Sequence, residues 1–228
     1  SEPEYRVDHG SYTARLNPAS ASVDLRQRIS RDRMAYSDFV ADVIASSEEH
    51  RESLSTHAHP LIEANESYLI LLSDTHCGKH TKYFDASTFT QRILSVPEKA
   101  VQAGWDRDVG EIVVLLVGDM IEGEDIYGTQ AHHIEMPVID QVQIATRSFW
   151  HMLIGLRGSF PNAVIRVETC PGNHGRVSKT ANGKSNWDNV IYQSLGLISD
   201  ALNDPNLIVN VNMDTFHTFP VQDRTGMI

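Results

Sequence analysis

Three strand-length runs, two of them apolar and each followed at once by a polar cluster, constrain the fold of this chain more than any other feature. Residues 68–73 lead into Asp74-Thr75-His76, residues 112–117 into Gly118-Asp119, and residues 163–169 into Cys170-Pro171-Gly172-Asn173-His174. Amphipathic, helix-length segments separate these runs, and strands that alternate with helices predict an α/β domain. Ligands of open α/β sheets bind beyond the carboxyl ends of the strands. We therefore expect one crevice to collect the polar side chains of the three clusters: Asp74, His76, Asp119, Asn173 and His174.

Hydrophobic periodicity and turn residues predict the remaining elements. Helices are expected at residues 89–105, interrupted at Pro97, at residues 138–156 and at residues 186–202. A fourth strand is expected at residues 207–211, and a further strand could begin at residue 225. Residues 1–20 are interpreted as an arm or loop, residues 21–56 as a helix and residues 57–60 as a linker. The predicted organisation is an N-terminal arm and helix at residues 1–65 and a layered β-sheet core, flanked by helices, at residues 66–228.

Four arginines crowd the first half of the predicted N-terminal helix: Arg26, Arg28, Arg31 and Arg33. A solvated helix face with local ion pairs is the preferred interpretation. Contact with nucleic acid or with a partner protein is the alternative.

The donor types at the three strand ends suit metal ions. Carboxylate, amide and imidazole groups without a thiolate fit Mn, Fe or mixed Zn sites. Asp74 and His76 are two residues apart, so both side chains would point the same way from an extended strand end. The carboxylate of Asp119 could bridge two cations about 3.5–4 Å apart, an arrangement that activates water and clamps a phosphate. Gly118 and Gly172 would allow tight turns that bring the backbone close to the site.

Together, Asp74-x-His76, Gly118-Asp119 and Gly172-Asn173-His174 resemble the first three signature blocks of the calcineurin-like metallophosphoesterase family. The resemblance covers roughly residues 68–212. It implies the layered sheet of that family and a hydrolase that acts on phosphate esters. By the same resemblance, Asp74 and His76 hold a first metal and Asn173 a second. Asp119 bridges the two, and His174 is the catalytic histidine that protonates the leaving oxygen.

The resemblance also implies the cofactor and the substrate class. Two divalent metal ions are expected, with Mn preferred and Fe, Zn or Mg as alternatives. The segment from Gly118 to Glu124 is similar to the branch that contains nucleases and phage or archaeal phosphoesterases, so phosphodiester hydrolysis on nucleic acid, DNA first, is the leading hypothesis. Two alternatives stay open: a phosphatase or nucleotide phosphodiesterase with a small substrate, and a non-catalytic binding or assembly module.

The chain departs from the family pattern at two places. Where the family commonly has Glu after Asn-His, this chain has Gly175 and then Arg176, which could contact phosphate through its planar fork or pair with a local acid. The family's later histidine and its Gly-His-x-His block do not occur before Ile228, and His217 is interpreted as an ordinary loop histidine. We therefore expect this chain to be a fragment, and otherwise an incomplete second metal site.

A loop-like segment after the second cluster ends in His132 and His133 and is expected to form a lip of the crevice. These two histidines could contact substrate or could belong to a solvated loop. The formal net charge of −11 argues against non-specific coating of nucleic acid. It does not exclude a nucleic-acid substrate, because bound cations reverse the local field.

Cysteine content and hydropathy bear on the compartment. Cys77 and Cys170 are too few for a disulfide framework and are interpreted as small buried thiols in a reducing compartment. No apolar stretch approaches the ~20 residues that span a bilayer. A cytoplasmic protein without membrane contact is therefore expected, and a homo-oligomer is left open.

Overall fold

The computed structural model of this chain describes residues 5–8, 11–14, 38, 41–45, 47–49, 66–104 and 109–228. The chain divides into two units, Ser1–Ile44 and Ala45–Ile228. In the first unit, strand β1 (Tyr5–Asp8) pairs antiparallel with strand β2 (Ser11–Ala14). The arm or loop predicted at residues 1–20 therefore contains a short hairpin. The described residues between 38 and 49 are helical, as predicted for that part of the chain.

Parts of the N-terminal interpretation fall outside the described residues. These parts are the rest of the helix predicted at residues 21–56, with its four arginines, and the linker predicted at residues 57–60. The boundary predicted between residues 65 and 66 lies within the second unit. It stays a prediction.

Four parallel strands form the sheet of the second unit, in the order β3-β4-β5-β6. They are β3 (Glu66–Leu72), β4 (Val109–Val117), β5 (Val164–Cys170) and β6 (Leu207–Asn210). The predicted α/β class and all four predicted strands are confirmed, with shifts of a few residues at their ends. The three strand-length runs form neighbouring strands, β3, β4 and β5.

The described helices that connect these strands are α1 (Ala86–Leu94), α2 (Val96–Gly104), α3 (Val138–Ser159) and α4 (Trp187–Leu202). Pro97 interrupts the first helical segment as predicted, since α2 begins one residue before it and a first-turn proline has no N–H to lose. Asp85 caps α1 by accepting a hydrogen bond from the backbone N–H of Thr88. Within the described ranges, no helix is both long enough and apolar enough to cross a membrane.

Strand β4 runs through the centre of the core. Ile112, Val114 and Leu116 on one of its faces are completely buried. On the opposite face, Val113 and Leu115 pack against Phe219. Phe219 belongs to an antiparallel hairpin of strands β7 (Thr218–Val221) and β8 (Arg224–Met227). The possible strand that follows His217 in the sequence is β7, and β8 lies where a further strand was expected to begin.

The register of the parallel strands positions the three polar clusters. Leu72 of β3 is paired with Leu116 of β4, which is paired with Thr169 of β5. Parallel strands end at the same edge of a sheet. The segments that follow these three residues therefore leave the sheet side by side.

Candidate metal centre

The first two polar clusters run alongside each other beyond the sheet. The backbone N–H of Asp74 donates to the carbonyl of Gly118 at 3.2 Å, and that of His76 donates to the carbonyl of Asp119 at 3.0 Å. The N–H of Cys77 continues the series to the carbonyl of Met120 at 2.9 Å. These hydrogen bonds fix Asp74 and His76 relative to Asp119.

Three candidate ligands have a left-handed backbone conformation. Asp74, His76 and Asp119 have φ angles of 51°, 46° and 55°, and they are three of the five non-glycine residues with positive φ in the described part of the chain. This conformation costs an ordinary residue about 1–2 kcal/mol. Such strain concentrates at functional sites. The geometric reason given for the Asp-x-His spacing was therefore wrong: Asp74 and His76 converge through left-handed turns and not through the alternation of an extended strand.

Two glycines allow the second and third clusters to touch. Gly118 has a φ of 68°, and a Cβ atom added to it would overlap the backbone of Gly172. A Cβ atom on Gly172 would in turn overlap the amide nitrogen and Oδ1 of Asp119. The tight approach expected of these glycines is present, because neither position has room for a side chain.

The structure brings Asp74, His76 and Asp119 together as one donor group. One ligand atom from each lies within 4.8 Å of the others. Nε2 of His76 lies 3.9 Å from Oδ1 of Asp74. The side chain of Asp74 is 69% exposed, whereas that of His76 is 16% exposed and Asp119 is buried. A cation held here would be reached from solvent on the Asp74 side.

A second donor group contains Glu122, which sequence reasoning missed. Its Oε2 lies 2.9 Å from Nδ1 of His76, 3.6 Å from Nδ1 of His174 and 3.3 Å from Nζ of Lys79. Burial alone would raise the pKa of Glu122. His76, with the charges of Lys79 and His174, outweighs burial and lowers the pKa. Glu122 is therefore a carboxylate shared by two imidazoles.

Glu122 could not be singled out from its spacing. It lies three residues after Asp119, and the completely buried Met120 and Ile121 separate the two. An isolated parallel bridge between Cys77 and Ile121 then brings Glu122 back toward His76. The acidic segment around Gly118-Asp119 was the only signal in the sequence.

His174 lies between His76 and the loop that follows the second cluster. Its ring centroid is 4.5 Å from that of His76 and 4.9 Å from that of Tyr127. Nδ1 lies 3.1 Å from the carbonyl of Glu122 and 3.1 Å from Nε2 of Gln130. With either tautomer Nδ1 is engaged, so Nε2 is the atom left for a ligand. The backbone N–H of His174 donates to Oδ1 of Asp119 at 2.7 Å.

Asn173 and Arg176 lie next to this group and face outward. Nδ2 of Asn173 donates to the hydroxyl of Tyr127 at 2.6 Å, which leaves Oδ1 as its ligand atom. Nε of Arg176 donates to the carbonyl of Asn173 at 3.2 Å, and no ion pair of Arg176 occurs within the described ranges. Both residues line a cavity of about 830 Å³ that also contains Lys184, Asp214 and Phe216.

The two predicted lip histidines differ in position. His133 lines a cavity of about 530 Å³ together with Lys79, Tyr127 and His174. His132 is exposed in a single 3-10 turn (Gln130–His132) and lines neither of these two cavities. His217 lies elsewhere, with Nε2 3.0 Å from Oε2 of the buried Glu168. The structure therefore brings His133, but not His132 or His217, to the crevice.

A further unpredicted carboxylate, Asp188, lies beneath the centre. It is fully buried and accepts hydrogen bonds from the backbone N–H groups of Asp119, Met120 and Gly172. Burial raises the pKa of Asp188 to about 6, against those hydrogen bonds, which lower it. The sequence offered no signal for this role beyond its position at the start of a predicted helix.

The donor set fits a divalent cation. Two carboxylates, an imidazole and an amide oxygen without thiolate are ligands for Mn and related ions. Nδ1 of His76 is buried, and although Glu122 is near, it lies out of line for a hydrogen bond. Metal-bound histidines usually donate their other ring N–H to a carboxylate, which fixes the ring. A cation on Nε2 of His76 would leave Nδ1 for such a hydrogen bond to Glu122.

Comparison with known proteins adds no relative. The chain matches no family model, no curated protein and no solved structure. Its class is therefore stated from its own geometry: an α/β domain with a four-stranded parallel sheet flanked by helices, and a candidate cation site at the carboxyl edge of that sheet.

Proposed function

We propose that this chain is a metal-dependent phosphoesterase of the calcineurin-like type, acting on phosphodiesters of nucleic acid. The observation that carries the proposal is the convergence of Asp74, His76 and Asp119 at neighbouring strand ends, with all three in left-handed conformation. Strain at three converging donors is expected where ligand binding compensates for it. A chance cluster of surface acids would not require this backbone strain.

Asp74, His76 and Asp119 would hold the first of two divalent cations, with Mn preferred. Asp119 and Oδ1 of Asn173 would hold the second. Bound divalent cations supply Lewis acidity, which activates water and neutralises charge on a phosphoryl oxygen. Oε2 of Glu122 lies 2.9 Å from Nδ1 of His76, on the side away from Asp74, and would orient this imidazole once a cation on Nε2 brings the two atoms into line.

His174 is the proposed proton donor to the leaving oxygen. Its Nδ1 is held by the carbonyl of Glu122 and the amide of Gln130. Tyr127 packs against the ring. Nε2 can therefore present a proton in a fixed direction, which is what general acid catalysis requires. The hydrogen bond from the His174 backbone to Asp119 keeps the proton donor next to the cation ligands.

The cavity beside Asn173 supports a nucleic-acid substrate over a small phosphate ester. Arg176 lines it and supplies positive charge for phosphates, Lys184 is paired there with Asp214, and the side chain of Phe216 is exposed. An exposed aromatic ring near an arginine suits stacking of a base whose phosphate is bound nearby. At about 830 Å³ the cavity is large enough for more than a single phosphate group.

The layered family fold places a second β layer over the sheet. The β7–β8 hairpin packs on the face of β4 that carries Val113 and Leu115, which fits such a layer. Arg166 of β5 adds a hydrogen bond to the carbonyl of Pro220 in the hairpin.

Mn²⁺ titration and hydrolysis assays test the proposal. The chain should bind Mn²⁺ and cleave bis-p-nitrophenyl phosphate and single-stranded DNA, and Asp119→Ala should lose both properties. Asp223→Ala, which removes an exposed carboxylate in the β7–β8 turn, is the matched control. If the chain hydrolysed p-nitrophenyl phosphate but did not cleave DNA, the proposed activity would be a phosphatase and not a nuclease. If the unaltered chain did not bind Mn²⁺, the alternative of a non-catalytic binding module would be favoured.

A further inference from the structure

Side chains in the first two turns of α4 contact the turns of the second and third polar clusters from the buried side. The carboxylate of Asp188 accepts three backbone hydrogen bonds there. Oδ2 accepts from Asp119 at 3.0 Å and from Gly172 at 2.9 Å, while Oδ1 accepts from Met120 at 3.1 Å. One side chain therefore binds the backbone of the second and the third polar clusters at the same time.

Tyr192, one helical turn further on, acts on the residues just before these turns. Its hydroxyl accepts a hydrogen bond from the N–H of Gly118 at 3.2 Å. The same oxygen lies 3.2 Å from the carbonyl of Leu116 and 3.1 Å from that of Cys170, one of which receives its proton. Both Asp188 and Tyr192 are completely buried. Residues four apart lie on one face of a helix, so the pair forms a single contact surface.

The cap of α4 completes this surface. Nδ2 of Asn186 donates to the carbonyl of Gly172 at 2.8 Å, and its Oδ1 accepts from the N–H of Asp188 at 2.9 Å. The side chains of Asn186 and Asp188 fill the space that a Cβ atom of Gly175 would need. The position where the family commonly has Glu is thus occupied by the contact between α4 and the strand ends.

These contacts lie just beyond the last residue pairs of the sheet. The pairing of β4 with β5 ends at Val117 and Cys170, and Asp119 then adopts its left-handed conformation. Backbone N–H groups that leave a sheet need another acceptor when they are buried. Asp188 supplies that acceptor for Asp119 and Gly172, and so it joins the backbone of Asp119 to the turn that carries Asn173 and His174.

We infer that Asp188, supported by Tyr192, is a positioning residue that holds Asp119 and the Gly172–His174 turn in cation-binding geometry. This inference rests on the proposed metal centre. The hydrogen bonds that Asp188 accepts come from backbone N–H groups, so it acts through the backbone of Asp119. Residues behind the ligands of metal sites typically change metal affinity or activity by about 10–100-fold when they are substituted.

Isothermal titration of the full chain with Mn²⁺ tests the inference. Asp188→Ala should weaken the Mn²⁺ affinity by about 10–100-fold, with the number of ions bound per folded chain unchanged. Turnover of bis-p-nitrophenyl phosphate should recover when Mn²⁺ is raised above the new Kd. Asp200→Ala makes the same change at an exposed position of the same helix and should match the unaltered chain.

A purely structural role would give a different result: fewer ions bound per chain, as the folded fraction falls, at an unchanged Kd. That outcome overturns the inference and leaves the proposed function standing. Absence of Mn²⁺ binding by the unaltered chain overturns both. If Asp188→Ala does not fold, Tyr192→Phe decides, since it removes one hydroxyl without leaving a cavity. An unchanged Mn²⁺ affinity in Tyr192→Phe would then overturn the inference.

Discussion

His76 and His174 carry the same imidazole, yet their surroundings give them different tasks. His76 faces Asp74 with Nε2 and Glu122 with Nδ1, which suits a cation ligand. His174 has Nδ1 engaged and Nε2 available. We expect His76→Gln to lose Mn²⁺ affinity. His174→Gln should keep that affinity while kcat falls by about 10²–10⁴-fold, the range for a lost general acid.

Each of these two variants controls for the other, because the same atoms are replaced. Mn²⁺ titration and steady-state kinetics on bis-p-nitrophenyl phosphate measure both effects. The group formed by His76, Glu122 and His174 is itself compact enough to hold an ion. If His174→Gln weakened Mn²⁺ binding as much as His76→Gln, His174 would be a ligand and the proton donor would have to be sought elsewhere.

The two thiols should be unreactive in the folded protein. Cys77 is completely buried and Cys170 is nearly so, as the sequence predicted. Burial raises the pKa of both thiols, and the charge of Glu135 adds to the effect on Cys77. Because the thiolate is the reactive form, we expect slow reaction with Ellman's reagent in buffer and rapid reaction of both thiols in guanidinium chloride. Rapid labelling of Cys170→Ser under native conditions would show Cys77 to be accessible.

Strand-end position was enough to predict Asp74, His76 and Asp119, because the carboxyl ends of neighbouring strands must meet. It could not predict Glu122 or Asp188. Glu122 reaches His76 only through the left-handed turns and the bridge at Ile121. Asp188 reaches Asp119 only because α4 begins directly beneath the strand ends. Both depend on contacts between elements, which local sequence patterns do not encode.

At the scale of elements, a buried ion pair joins the ends of two helices. Nε of Arg157, near the end of α3, donates to Oδ2 of Asp204, just after α4, at 2.8 Å. Both side chains are at most 3% exposed. Removing one partner would leave a buried charge without its counter-ion, at a cost of about 3–5 kcal/mol. We therefore expect Asp204→Ala to lower the free energy of unfolding by roughly that amount in urea titrations.

An exposed pair on the same chain is the control for this prediction. Nζ of Lys184 lies 3.1 Å from Oδ1 of Asp214, and the two side chains are 58% and 65% exposed. Exposed pairs contribute about 0–1 kcal/mol, so Asp214→Ala should change the unfolding free energy little. Equal losses from Asp204→Ala and Asp214→Ala would contradict the assignment of the Arg157 pair as the stabilising contact.

The hydrophobic pattern predicted the elements of the sheet domain well because its central strand, β4, is a continuous apolar run from Ile112 to Val117, as buried parallel strands are. The pattern is weaker in the two antiparallel hairpins. Strand β7 has four residues and includes Pro220, which argues against a strand in the interior of a sheet. Strands β1 and β2 also have four residues each, in a segment whose polar composition favoured a loop. Such short strands become recognisable only once their partner is known.

At the scale of the whole molecule, the acidity of the chain bears on the proposed cation binding. The formal net charge of −11 means that the chain repels itself as well as polyanions. The two donor groups add carboxylates at one place, where Asp74 and Asp119 face the same imidazole. A divalent cation at the proposed centre would relieve this repulsion and compensate for the left-handed strain of Asp74, His76 and Asp119. Cation binding should therefore stabilise the folded state of the whole sheet domain.

Thermal unfolding measures this coupling directly. A ligand that binds only the folded state at a hundred times its Kd adds about 2.7 kcal/mol of stability. For a domain of this size, each kcal/mol raises Tm by about 2–4 °C, so saturating Mn²⁺ should raise Tm by roughly 5–10 °C. EDTA should reverse the shift, and Asp119→Ala should abolish it. Screening of the net charge by any salt is a competing cause, so NaCl at equal ionic strength is the control. A shift that NaCl reproduces, or that survives in Asp119→Ala, would mean that Mn²⁺ acts on the general charge of the surface and not at the strand ends.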